Sequence, residues 1–143
     1  MGQRPIDQPG LRVRMGRERL RISSQHRQLD SLYEMIRSAL EQGSESAAQR
    51  AFERFADAFD AHTSLEDGFY FPAVRAMHPG VGDELDELIR EHETFRRELE
   101  SLAALFRAGR LGECDEPLDA FVVAVARHEG REESLLERIT ARG

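Results

Sequence analysis

Four stretches of the chain place apolar residues at alternating steps of three and four, and a histidine interrupts each one. Such steps trace one face of an α-helix packed against other helices. The first stretch runs Ile22, His26, Leu29, Tyr33, Ile36, Leu40, and the second Phe52, Phe55, Phe59, His62, Glu66, Phe69, Ala73. The third runs Leu85, Leu88, His92, Phe95, Leu99, Leu102, Phe106, and the fourth Leu118, Phe121, Val125, His128, Glu132, Leu135, Ile139. No stretch alternates with the period of two that a half-buried strand requires. The pattern therefore predicts an all-α chain of four helices.

Turn chemistry separates the four. Gly43 followed by Ser44 reads as a helix stop and the next N-cap. His78-Pro79-Gly80 ends the second stretch, and Asp83 is placed to cap the third. Gly109 to Gly112 closes the third, and Pro117 suits the first turn of the fourth. Pro72 lies inside the second pattern, where its missing N–H should kink or end the helix. Short connections make neighbouring helices antiparallel, so the expected architecture is an up-down-up-down bundle. Residues 1–16, with Pro5, Pro9 and three glycines and no periodicity, read as a mobile arginine-bearing tail; residues 17–143 form the bundle.

Six polar residues stand where the seams should be apolar: His26, His62, Glu66, His92, His128 and Glu132. Each helix contributes one histidine, and the second and fourth add a glutamate four residues later. A gap of four keeps both side chains on one helix face, about 5.4 Å apart along the axis. All six should point at the bundle axis. Without a partner such a layer is costly, because a buried carboxylate carries a large desolvation penalty and a buried imidazole must find hydrogen bonds. A pair of cations removes that cost, with Glu66 and Glu132 as natural bridges. Imidazole with carboxylate suits iron, manganese or zinc. Ferritin-like carboxylate sites use Glu-x-x-His. Here the histidine comes first and the gap is four, and the set is richer in nitrogen.

Charge and composition remove other classes. Residues 22–143 carry 14 Arg against 25 acids, too acidic a body for a nucleic-acid binder. The longest apolar run, Phe121 to Ala126, is too short to span a membrane. No apolar segment follows the N-terminal arginines, so the expected location is the cytoplasm. Cys114 is the only cysteine, which excludes a disulfide, a Cys-based zinc site or an iron–sulfur cluster within one chain, and it reads as a loop thiol.

The segments His26-Arg-Gln-Leu, His62-Thr-Ser-Leu-Glu66-Asp-Gly-Phe-Tyr-Phe-Pro72, Glu91-His92-Glu-Thr-Phe95 and His128-Glu-Gly-Arg-Glu132-Glu together resemble the hemerythrin-like (HHE cation-binding) family, over about residues 20–140. The resemblance implies an antiparallel four-helix bundle with a non-haem di-iron centre. It implies His26 and His62 on one iron and His92 and His128 on the other, with Glu66, Glu132 and an oxo or hydroxo oxygen as bridges. Two positions depart from the oxygen carriers of the family. Leu88 stands where they have a further histidine, and Arg96, one turn after His92, cannot replace it because arginine stays protonated. Glu132 stands one residue before their acid, so Glu133 competes with it.

Among other residues, His78 reads as a loop histidine, and Tyr33 and Tyr70 as packing residues with hydroxyls turned outward. Phe55, Phe59, Phe69, Phe95 and Phe121 read as core that dries the site. Asp67, Glu91, Glu93 and Glu129 read as solvated surface. Three functions fit: a di-iron protein that binds dioxygen, nitric oxide or peroxide; a di-iron oxidase, oxygenase or catalase-like enzyme using the position opened at Leu88; and an iron-status sensor whose fold depends on its metal. The expected partner is a small ligand, with no nucleic acid and no membrane.

Overall fold

A computed structural model describes residues 9–141. Helix α1 spans Pro9–Glu41 and α2 spans Glu45–Leu65. A π turn at Glu66–Tyr70 carries α2 directly into α3, Phe71–Met77. A 3-10 turn at Pro79–Val81 leads into α4, Gly82–Arg107, and α5 runs Leu111–Ala141. With α2 and α3 as one rod, these are the four expected helices, antiparallel in sequence order. Helix α1 packs chiefly on α2, and α4 on both α2 and α5, while the neighbouring α1 and α5 pack less closely.

Helix α1 starts earlier than the sequence suggested. Residues 9–16 of the expected tail are helical, and residues 1–8 lie outside the described residues. Gly10 and Gly16 each weaken a helix by about 1 kcal/mol relative to alanine. Packing offsets this: Met15 is buried with Ile22, and the Arg14 guanidinium lies 3.9 Å from the centre of the Phe69 ring.

The two tight helix reversals are alike. Gly43 has φ +68° and Gly109 φ +72°. After α1, the Gly43 N–H donates to Leu40 and the Ser44 N–H to Ala39. After α4, the Gly109 N–H donates to Phe106 and the Arg110 N–H to Leu105. Both are Schellman caps, which satisfy the last helix carbonyls through a left-handed residue. Ser44 then caps α2 by accepting from the Ala47 N–H. A Cβ at Gly109 would lie 2.2 Å from Glu45 Oε1. The Glu45 side chain can swing aside, but the left-handed backbone remains strained. Gly109→Ala is therefore expected to destabilise the fold by about 1–2 kcal/mol. The measurement is a lower urea midpoint with an unchanged slope, and an unshifted midpoint would contradict it.

Three local expectations differ from the structure. Val81, not Asp83, precedes α4, and Asp83 lies in the first turn without a side-chain cap bond. Helix α5 begins at Leu111, so Pro117 lies inside it. Cys114 is consequently a buried core residue on α5 and not a loop thiol, its Sγ 3.3 Å from the Arg110 carbonyl.

A further point bears on the site. The regular α-helix is interrupted near Pro72, where a kink or an end was expected, but the chain stays helical through it. The π turn comes just before it, where the Phe71 N–H donates to the Glu66 carbonyl. A π turn inserts one extra residue and rotates the rest of the helix about its axis. The seam expected at Phe69 and Ala73 therefore moves one place, and Tyr70 and Val74 are buried instead. Phe69 is left half-buried beneath Arg14. In α4 and α5 every seam residue read from the sequence is buried.

The apolar core has two parts. One holds the phenylalanines Phe52, Phe55, Phe59, Phe95, Phe106 and Phe121 with leucines from α1 and α4. The other holds Ile22, Tyr70, Phe71, Leu85, Leu88 and Leu135. The polar layer lies between them along the sequence of every helix.

Candidate metal centre

His26 comes from α1, His62 from α2, Glu66 from the first position of the π turn, His92 from α4, and His128 and Glu132 from α5. All six are buried, both glutamates completely. They form two groups that share the carboxylates. His26, His62, Glu66 and Glu132 bring ligand atoms within 4.8 Å of one another, and so do Glu66, His92, His128 and Glu132.

In the first group the Nε2 atoms of His26 and His62 are 3.1 Å apart. In the second those of His92 and His128 are 3.0 Å apart. Glu66 Oε1 lies 3.2 Å from His62 Nε2 and 3.3 Å from His92 Nε2. Glu132 spans the groups with separate oxygens: Oε1 is 3.9 Å from His26 Nε2, and Oε2 is 3.5 Å from His128 Nε2. Glu133, the competing acid, is 58% exposed at its side chain and meets the outer nitrogen of His26 instead.

The outer nitrogens form a ring of their own. His62 Nδ1–H donates to Gln25 Oε1 on α1 (2.8 Å), and His92 Nδ1–H to Asp67 Oδ1 in the π turn (2.8 Å). His128 Nδ1–H donates to Glu91 Oε1 on α4 (3.1 Å), and His26 Nδ1–H to Glu133 Oε1 on α5 (3.3 Å), with Glu129 Oε2 at 3.6 Å. Each helix thus backs the histidine of the next one round the bundle. Arg96 clamps Asp67 at 2.7 Å, and Arg131 clamps Glu91. Asp67, Glu91 and Glu129 are therefore not the solvated surface the sequence suggested, and Gln25 was not singled out at all. A signal was available, because three of these four sit next to a histidine in sequence and Asp67 sits next to Glu66. Neighbouring positions lie about 100° apart around a helix, which turns them toward the adjacent helix rather than the axis.

An Nδ1 that donates a proton leaves Nε2 as a bare lone pair. The centre then holds four inward lone pairs and four carboxylate oxygens, and among the described residues none of those oxygens has a hydrogen-bond donor. Buried acceptors without donors are costly and rare. A cation is the partner that fits. Two nitrogens each about 2.1 Å from one ion, at a right angle, lie about 3 Å apart, which matches both histidine pairs.

The titration behaviour has the same cause. Burial pushes the Glu66 carboxyl well above its usual range, and the charge of Glu132 adds to the push. Burial alone would raise Glu132 too, but the close approach of Glu66 and of His128 and the charges of His26 and His62 hold it down at about 2. Two carboxylates this close in a dry site share a proton unless a cation replaces it. Burial lowers His62 to about 4, so its ring is neutral at pH 7. Burial would raise Asp67 and Glu91, yet hydrogen bonds from His92 and Arg96, and from His128 and Arg131, hold both low. Glu129 rises to about 8 through burial and the nearby charges of Asp30, Glu132 and Glu133.

The remaining candidates lie outside both groups. His78 is half-buried at the end of α3. The Tyr33 hydroxyl donates to Asp119 on the surface (2.9 Å). Tyr70 is buried instead, and burial pushes its hydroxyl up to about 12. Leu88 is packed in the core one turn before His92, and the second group includes no third imidazole. Aromatic rings wall that group: Phe71 stacks on His92 with centroids 5.7 Å apart, and Phe95 meets His128 edge-on at 5.3 Å.

Fold and site together define a helical bundle with a histidine–carboxylate centre suited to paired cations. The chain matches the family model described as the hemerythrin HHE cation binding domain over residues 21–139, and it belongs to that family. Neither the curated proteins nor the solved structures returned a significant match. Among the described residues, no helix is long and apolar enough to cross a membrane.

Proposed function

We propose that His26, His62, Glu66, His92, His128 and Glu132 hold two iron ions, and that the centre binds dioxygen or a related small ligand such as nitric oxide or peroxide. The observation that carries this reading is the set of four donor-less carboxylate oxygens facing four imidazole lone pairs. The nitrogen-rich set supports iron in a ligand-binding role over iron storage. A ferrous pair, when bound, supplies electrons and open coordination to such a ligand. The protein does the rest. The Nδ1 bonds fix each imidazole's tautomer and direction. Phe71, Phe95 and their aromatic neighbours Phe59 and Phe121 exclude water and admit small neutral molecules.

The test is metal analysis with an optical spectrum before and after oxygen, peroxide and azide. About two irons per chain, with ligand-sensitive bands between about 300 and 500 nm, is the expected result. Zinc alone, or no metal, would overturn the reading.

Leu88 favours a second reading. With leucine there, the His92–His128 group offers two nitrogens, and an open position suits catalysis as well as binding. Peroxide decay or turnover of a reductant by the iron-loaded protein would assign an oxidase, oxygenase or catalase-like enzyme. Stable, reversible ligand binding without turnover would assign a carrier or sensor.

A further inference from the structure

The two halves of the centre have equal numbers of nitrogen and carboxylate donors, but they are backed differently. Behind His92 stands Asp67, and behind His128 stands Glu91. Both are carboxylates, and each is fixed by an arginine, Arg96 or Arg131. Behind His62 stands the neutral amide oxygen of Gln25. Behind His26 stand Glu133, which is mostly exposed, and Glu129. Among the described residues, neither of these two glutamates has an ion-pair partner other than His26.

A carboxylate that accepts from Nδ1–H makes the opposite nitrogen a stronger donor and holds the ring in place. A neutral amide does so less, an exposed carboxylate such as Glu133 is weakened by water, and Glu129 at 3.6 Å lies beyond hydrogen-bond reach of the His26 Nδ1. Solvent access runs the same way. A cleft of about 390 Å³ between α1 and α5 is lined by His26, Glu129 and Glu133, so it reaches the outer side of the first group. It lies between the two neighbouring helices that pack least closely on each other. His92 and His128 instead lie against aromatic rings, Phe71 stacked on one and Phe95 edge-on to the other.

From this asymmetry we propose that the two metal positions are unequal: the His92–His128 position is the tight, permanently filled one, and the His26–His62 position is the weak, exchangeable one, loaded and emptied through the α1–α5 cleft. The inequality presupposes the paired-metal centre proposed for these six ligands. It makes Asp67, Glu91 and Gln25 positioning residues that set affinity through the imidazoles they back.

The test is an equilibrium competition on the full chain loaded with cobalt(II), using a chelator of known affinity, read by visible absorption and by metal content after desalting. Two separate release steps are expected, with a one-cobalt form between them. Gln25→Glu should strengthen the weaker step by about 10–100-fold and leave the tighter one in place. Asp67→Asn should weaken the tighter step by a similar factor, with far-UV circular dichroism confirming the fold. A single step for both ions would overturn the inference while leaving two cobalt per chain, and so the paired centre, intact. An effect of Asp67→Asn on the weaker step alone, or no effect of Gln25→Glu, would also overturn it. Failure of the wild-type chain to bind cobalt(II) would remove the paired centre and this inference together.

Discussion

Glu66→Gln is expected to abolish paired metal binding and, in the metal-free protein, to raise stability. The two effects have one origin. Glu66 Oε1 sits between His62 Nε2 and His92 Nε2, at 3.2 and 3.3 Å, so one carboxylate serves both groups. An amide is a poor ligand for a hard cation, and its loss should take metal content from about two per chain to one or fewer. In the absence of metal the same amide places an N–H₂ between two imidazole lone pairs. It also removes a carboxylate that burial and the charge of Glu132 disfavour. At about 1 kcal/mol for each hydrogen bond gained, the metal-free variant should be about 2 kcal/mol more stable than metal-free wild type. For a domain of this size that is roughly a 4–8 °C rise in Tm. Metal analysis and thermal melts in chelator measure the two halves separately. Glu133→Gln is the control: its side chain meets only the outer face of His26, so about two metals per chain should remain. A variant at Glu66 that keeps both metals, or one at Glu133 that loses them, would reverse the assignment of the bridging acid.

How much of this was legible in the sequence depends on what each residue answers to. Helices α4 and α5 were readable almost residue by residue, because a regular helix keeps its seam in step and every seam position read there is buried. The six inward polar residues were readable for the same reason, since each breaks a seam whose register is fixed by its neighbours. The second helix was readable only to Glu66. Beyond it the π turn adds a residue, and the period of 3.6 no longer says which side chain is buried, so Tyr70 replaces Phe69. A proline two residues after a π turn looks, in sequence, like a helix stop. The ring of Gln25, Asp67, Glu91 and Glu133 left one trace in the sequence, each member standing next to an inward polar residue, but nothing there says which histidine it backs. Their role comes from which helix stands next to which, and that is tertiary information.

Stripping the metal is expected to have the larger effect on stability. Each ion bound at a free concentration about a thousandfold above its Kd adds about 4 kcal/mol. In a domain of this size 1 kcal/mol moves Tm by roughly 2–4 °C, so losing both ions should lower Tm by roughly 15–30 °C. The pH dependence of the two forms should run in opposite directions. In the metal-free protein the Glu66 and Glu129 carboxyls are raised above their ordinary value of 4.5, Glu129 to about 8. A raised acid contributes stability that is present below 4.5 and lost as pH climbs toward the folded value. His62 is depressed from 6.5 to about 4, so its contribution is present above 6.5 and lost as pH falls toward 4. Between 4.5 and 6.5 the loss at two carboxyls exceeds the gain at one imidazole, and above 6.5 only the losses remain. The metal-free protein should therefore melt at a lower temperature at pH 8 than at pH 5. The loaded protein should do the reverse, because cations compete with protons for the same carboxylates and imidazoles and win as pH rises. Thermal melts at pH 5, 6.5 and 8, with iron(II) under anaerobic conditions and with chelator, read both slopes at once. A gap between the two forms that widens with pH is the expected outcome. Parallel curves, or a gap of less than about 5 °C at pH 8, would mean that the polar layer is satisfied without a cation.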